Sequence, residues 1–116
     1  MSSNILYHNP RWGKSREAVS LLKDNGIKYT LVEYLKDPPS VKEIMSLSKK
    51  LGLAPGEFVR RSEKEFIENN LESIMHDHKK MASFISKFPK ILERPIFIKN
   101  DKAIIARPPE NILKLI

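Results

Sequence analysis

Apolar positions recur with two different spacings along this chain, and they predict its elements in order. Asn4-Ile5-Leu6-Tyr7-His8 is a short, mostly apolar run that reads as a first strand, broken by Asn9-Pro10. From about Gly13 the spacing turns helical, with Ala18, Val19, Leu21 and Leu22 on one face. Asn25-Gly26 supplies the left-handed stop. Ile27 to Tyr34 reads as a second strand with Ile27, Tyr29 and Leu31 on its apolar face. A strand, a short helix and a second strand make a βαβ unit, whose strands are expected to be parallel with a right-handed crossover.

Asp37-Pro38-Pro39 breaks the pattern, and Ser40-Val41-Lys42-Glu43 is a capping box opening a helix with Ile44, Leu47 and Leu51 inward and Gly52 at its end. Residues 53–78 read as short helices and turns anchored by Phe58, Phe66, Ile67, Leu71 and Ile74. Asp77 is placed to cap a helix from His78 to Phe88 with Met81, Phe84, Ile85 and Phe88 inward, stopped by Pro89. Arg94 to Lys99 reads as a third strand. Asn100-Asp101 is a turn, and Ala103 to Ala106 a fourth strand completing a hairpin. Pro108-Pro109 opens a last helix through Ile112 and Leu115. The order is βα-β-ααα-ββ-α, with no internal repeat, linker or low-complexity segment.

The 116 residues suit one compact domain, and 41% hydrophobic with 30% charged residues describes neither a disordered tail nor a membrane protein. No apolar run approaches the ~18–20 residues that span a bilayer, and no signal peptide is read at the start. The expected location is therefore the cytoplasm. A net charge of +7 suits anionic partners without choosing among them. Of the 21 basic residues only Arg11, Arg16, Arg60, Arg61, Arg94 and Arg107 are arginine, the side chain whose planar fork suits bidentate oxyanion contacts. There is no cysteine. That excludes disulfides, thiolate zinc sites and a thiol nucleophile within the chain. His76 and His78, with only Asp77 beside them, are too sparse a donor set for a metal site, so none is expected. Direct nucleic-acid binding is not expected either, because residues 57–77 carry six acids against three bases and no aromatic residues interleave with basic ones.

The element order, with Pro95 heading the third strand, resembles a thioredoxin-like fold: an α/β four-stranded mixed sheet with flanking helices and a helical insertion, about 40–88, within a single domain over 1–116. Tyr7-His8-Asn9-Pro10-Arg11 followed by Lys14-Ser15-Arg16 resembles the active-site loop of the glutaredoxin-dependent arsenate reductase (ArsC) family. Tyr34-Leu35-Lys36-Asp37-Pro38-Pro39-Ser40 resembles that family's Tyr-Leu-x-x-Pro-Pro segment, and Arg60-Arg61, Arg94-Pro95-Ile96 and Ala106-Arg107-Pro108 resemble its three arginine positions. The likeness covers essentially the whole chain.

The resemblance implies an oxyanion site made by Arg60, Arg94 and Arg107, with Arg61 as the alternative within the Arg-Arg pair and Arg11, Lys14 and Arg16 as a positive rim. It implies a nucleophilic cysteine where this chain has Trp12, supported by His8 and Ser15. An indole cannot attack an oxyanion or form a mixed disulfide, so no catalytic residue is intact and arsenate reduction by the family mechanism is not expected. With no thiol to tune, His8 is expected to be a structural hydrogen-bonding histidine, and Ser15 to bond the first turn of its helix. Trp12 reads either as a plug over the pocket or as an exposed anchor for a partner. The function expected is binding of a small oxyanion (arsenate, phosphate or sulfate) or of a protein partner, by a monomer with no bound cofactor. One alternative is the arsenate reductase itself, with glutathione and glutaredoxin as co-substrates, should Trp12 not be the natural residue. The other is a regulatory module like the Spx-type proteins, which bind RNA polymerase.

Overall fold

The computed structural model describes residues 4–93 and 95–115. Two compact units form, one from Met1–Asp37 together with Arg94–Ile116, the other from Pro38–Glu93.

The first unit holds a four-stranded sheet of order β2-β1-β3-β4. Strand β1 (Asn4–Tyr7) runs parallel to β2 (Thr30–Val32) and antiparallel to β3 (Ile96–Lys99), which pairs with β4 (Lys102–Ile105) in a hairpin. The Asn100-Asp101 turn is made with Asn100 at φ 58°, a left-handed conformation that asparagine tolerates better than most residues. Helix α1 (Gly13–Asp24) connects β1 to β2 and ends where Gly26, at φ 67°, turns the chain. The core joins Leu6 and Phe97 from the sheet to Ala18 and Leu22 from α1, closed by Ala106 and Ile112. Burying these apolar side chains is the main drive for packing α1 on the sheet.

Two elements differ from the pattern. Strand β2 covers only Thr30–Val32 rather than Ile27 to Tyr34. Ile27 and Tyr29 pack against the core from the loop before it, while Leu31, beside Leu6 in register, stays 41% exposed because β2 is an edge strand. The last helix is a 3₁₀ segment, Pro109–Lys114, lying against α1. Short segments favour this tighter winding.

The second unit is built on α2 (Val41–Leu51) packed against α4 (His78–Lys87), which bury Ile44 and Leu47 against Met81 and Ile85. The Ser40–Glu43 capping box forms with both hydrogen bonds, and Gly52 ends α2 at φ 71°. Asp77 caps α4 by accepting from the Lys80 N–H. Between them α3 (Lys64–Glu68) buries Phe66 but leaves Ile67 64% exposed, so Ile67 is not the core anchor its apolar character suggested. A five-residue helix shows the core only one side. The ends of this unit are stapled by a bridge between Val59 and Leu92, with the Glu93 N–H donating to the Phe58 carbonyl and the Arg60 N–H to that of Ile91.

Candidate functional site

The segment from His8 to Trp12 leaves β1 and enters α1, so its backbone lies where a parallel strand delivers the chain to a helix N-terminus. Its shape is set by local hydrogen bonds. The His8 N–H donates to the Val32 carbonyl, extending the β1–β2 pairing by one residue (2.9 Å). The Asn9 N–H donates to the buried Ser15 hydroxyl (3.3 Å), and the Asn9 side-chain oxygen accepts from the Arg11 N–H (3.1 Å). Arg16 donates to the Pro10 carbonyl (3.2 Å). Ser15 therefore ties the loop down rather than bonding the helix's own first turn, and Arg16 of the expected rim is a brace for the same loop.

Trp12 is the N-cap of α1 and offers no side-chain cap; the first turn holds no acidic residue. A helix start of this kind presents unsatisfied N–H donors and the positive end of the helix dipole. Lys14 is ion-paired to Glu17 at 3.5 Å with both side chains half exposed. The Trp12 ring carries the Arg107 guanidinium over its face at 4.9 Å from the centroid, within cation–π range. Arg107 precedes Pro108 through a cis peptide bond. Trp12 is a partly exposed aromatic surface that holds an arginine.

His8 is buried, 6% exposed, and its Nδ1 has no hydrogen-bond partner among the described residues. Burial lowers its pKa below the ordinary 6.5, because desolvation disfavours the charged ring. The Glu33 carboxylate and the Ser15 backbone oppose that shift, and Arg16 adds to it. Asn9 and Glu33 were not singled out by sequence reasoning. Asn9 carried a signal, since Asn-Pro favours turns in which the asparagine bonds nearby backbone; Glu33 reaches His8 only through strand pairing and carried none.

The remaining arginines divide between the units. Arg107 belongs to the first. Arg60 lies in the second, beside the staple, where its guanidinium pairs with Glu63 at 2.7 Å and with Glu93 at 3.9 Å. Lys90 adds a weaker contact to Glu63 at 3.8 Å. Arg61 is exposed and lines a separate small cavity with Phe66, Ile67 and Asn70. Arg94 lies outside the described residues. Among the described residues no group of three His, Asp or Glu side chains is placed to hold a metal, and no helix is long and apolar enough to cross a membrane.

A mixed β2-β1-β3-β4 sheet whose first strand runs into an uncapped helix beside a basic side chain defines an α/β protein of thioredoxin-like fold, and solved structures agree. The arsenate reductase from Vibrio cholerae superimposes with a TM-score of 0.93 at 36% identity, covering 98% of each chain. Residues 7–115 match the ArsC family model, and the chain belongs to the ArsC family. It is similar to a protein named arsenate reductase from Haemophilus influenzae, 38% identical over 115 residues, 98% of this chain and 99% of that one. It is also similar to an arsenate reductase from Neisseria meningitidis, 40% identical over 108 residues and 92% of each chain.

Proposed function

We propose that this chain is an arsenate-reductase-like protein that has lost its redox centre and retains an oxyanion site at the α1 N-terminus with Arg107, to which the family resemblance adds Arg94. The observation that carries this reading is Trp12, at the helix start where the family resemblance implies a cysteine, holding Arg107 against its ring in a chain without cysteine. An indole supplies no thiolate, so the attack on arsenate and the mixed disulfide with glutathione have no sulfur to form on. The binding half of such a site does not need the thiol. Backbone donors at the start of α1, the dipole of that helix and a guanidinium all favour an anion. Arg60, which the resemblance adds to this set, belongs to the second unit and is ion-paired there with Glu63 and Glu93. As part of the same reading the protein is cytoplasmic and monomeric and binds no cofactor.

The names of its relatives support a second reading, an active arsenate reductase whose natural residue at position 12 is cysteine. One pair of measurements separates the two. Incubated with arsenate, glutathione, glutaredoxin and an NADPH-coupled reductase, the chain is expected to show no turnover above a heat-killed control; turnover would refute the loss of the redox centre. Trp12 is the only tryptophan, so its fluorescence reads anion binding. Sulfate and arsenate are expected to change it saturably, with affinity weakened roughly tenfold in Arg107→Ala, the loss expected for a charge-assisted contact. Equal, unsaturable changes in both proteins would refute the oxyanion site. Arg94→Ala and Arg60→Ala then apportion the rest.

A further inference from the structure

The second unit carries a cavity of about 210 Å³ lined by Arg61, Phe66, Ile67, Asn70 and Glu72. Chain order brings these residues together. Arg61 precedes α3, and Phe66 and Ile67 lie in it. Asn70, left-handed at φ 48°, then turns the chain into the 3₁₀ turn Leu71–Ile74 that holds Glu72. Phe66 and Ile67 give the cavity its apolar lining, and Ile67 is more exposed than any other large hydrophobic side chain among the described residues.

The charges at this cavity differ from their neighbours. Residues 57–77 carry six acids and three bases, and seven of these nine side chains have a partner. Arg60 pairs with Glu63, Lys64 with Glu68, and Lys90 with Glu63 and Glu65, while Glu57 and Asp77 accept from the Ala54 and Lys80 N–H groups. The other two are Arg61 and Glu72, which have no ion pair or side-chain hydrogen bond among the described residues, and both line the same cavity. The Asn70 side-chain amide between them likewise has no partner among the described residues; only its backbone is bonded, to Ile67 and Ser73.

We propose that this cavity binds a free α-amino acid with a branched aliphatic side chain. The carboxylate of such a ligand suits Arg61 and the Asn70 amide, its ammonium suits Glu72, and its side chain suits Phe66 and Ile67. A guanidinium alone would accept any anion and a carboxylate any cation; the two together favour a ligand that carries both charges. The volume admits about ten non-hydrogen atoms, below the usual drug-sized range, which suits leucine. Within a polypeptide both charges of a residue are lost to amide bonds, so a docked peptide would leave Arg61 and Glu72 unmatched. The inference does not rest on the oxyanion reading, because it uses neither Trp12 nor Arg107.

Leucine is the probe, compared with N-acetylleucine, which lacks the ammonium, leucinamide, which lacks the carboxylate, and N-acetylleucinamide, which lacks both. Proton–nitrogen NMR on the full chain follows each titration at about pH 6.5, below the α-amino range. Leucine is expected to shift the Ile67 and Asn70 backbone resonances and the Asn70 side-chain amide saturably at millimolar concentration, a strength suited to so small a ligand. Each singly charged analogue should bind roughly threefold more weakly, as loss of one exposed charge contact does, and the neutral one more weakly still. Arg61→Ala and Glu72→Gln change exposed side chains and are expected to leave the fold intact. Arg61→Ala should weaken leucine roughly threefold and leave leucinamide unchanged; Glu72→Gln should weaken leucine by a similar factor and leave N-acetylleucine unchanged. Absence of saturable shifts at Ile67 and Asn70 would overturn the proposal. So would leucine affinities that ignore both variants, or equal affinity for leucine and N-acetylleucinamide, which would assign the cavity to an aliphatic side chain of a partner polypeptide. The oxyanion reading is tested by sulfate at Trp12 and this one by leucine at Ile67 and Asn70, so the two fail separately.

Discussion

Replacing Trp12 by alanine removes a partly buried indole and the face on which Arg107 rests. A fully covered tryptophan buries about 150–250 Å². With about two thirds of that lost, at about 25 cal/mol per Å², the apolar part is about 2.5–4 kcal/mol, an upper bound because the unfolded chain already shields some of this surface. The cation–π contact adds about 0.5–1 kcal/mol, the range for a pair with an exposed cation. Arg107→Ala alone should cost little more than that second term, since Arg107 is exposed. The informative quantity is the coupling. If Trp12 holds Arg107, the double variant is less destabilised than the sum of the singles by about 0.5–1 kcal/mol. Urea unfolding followed by circular dichroism measures all four proteins without relying on the tryptophan. Trp12→Phe keeps an aromatic face of weaker cation affinity, so it should return part of the coupling and covers the case in which Trp12→Ala folds poorly. Additivity within about 0.3 kcal/mol in both cycles would refute the claim that the indole positions the arginine.

Two further outcomes are expected. The folded-state pKa of His8 is depressed, so the neutral ring is favoured by folding; its stabilising share is complete above about pH 6.5 and is lost as the pH falls below that value toward the folded-state pKa. Thermal melts between pH 7 and pH 5 should therefore slope less steeply in His8→Gln than in the wild type, and parallel slopes would show that burial does not depress this imidazole. Trp12→Cys should place a thiol at the start of α1 near Arg107, with a pKa well under the ordinary ~8.5; a thiol titrating at the ordinary value by its pH-dependent alkylation rate would mean that this helix start no longer stabilises negative charge.

Local features of the fold were legible because their causes are local. Ser40 and Glu43 sit three residues apart, and both of their hydrogen bonds form; Asp77 and Gly52 act at the ends of their helices as residue type predicts. Strands β1 and β3 were readable because each lies between two others and is apolar throughout its buried length. The extent of β2 was not, since an edge strand shares its apolar residues with the loop before it, and Ile27 and Tyr29 reach the core without strand pairing. The loop from His8 to Ser15 resembled a family motif in the sequence, but its internal wiring was not readable there. That the Ser15 hydroxyl serves Asn9, that Glu33 faces His8 and that Trp12 carries Arg107 are contacts between segments which only the folded chain brings together.

The indole at position 12 changes the electrostatics of the helix start as well as its chemistry. A thiolate there would place a full negative charge against the α1 dipole and Arg107 and would partly neutralise them. An aromatic ring offers only the negative face of a quadrupole, enough to orient a guanidinium but not to cancel its charge. The first turn of α1 contributes no acid, and Arg16 stands beside it on the Pro10 carbonyl. On the reading proposed above, the missing negative charge is left for a ligand to supply. On the same reading, an indole in place of a thiolate leaves the reason for an anion to bind in place, and that reading expects loss of turnover together with retention of oxyanion affinity.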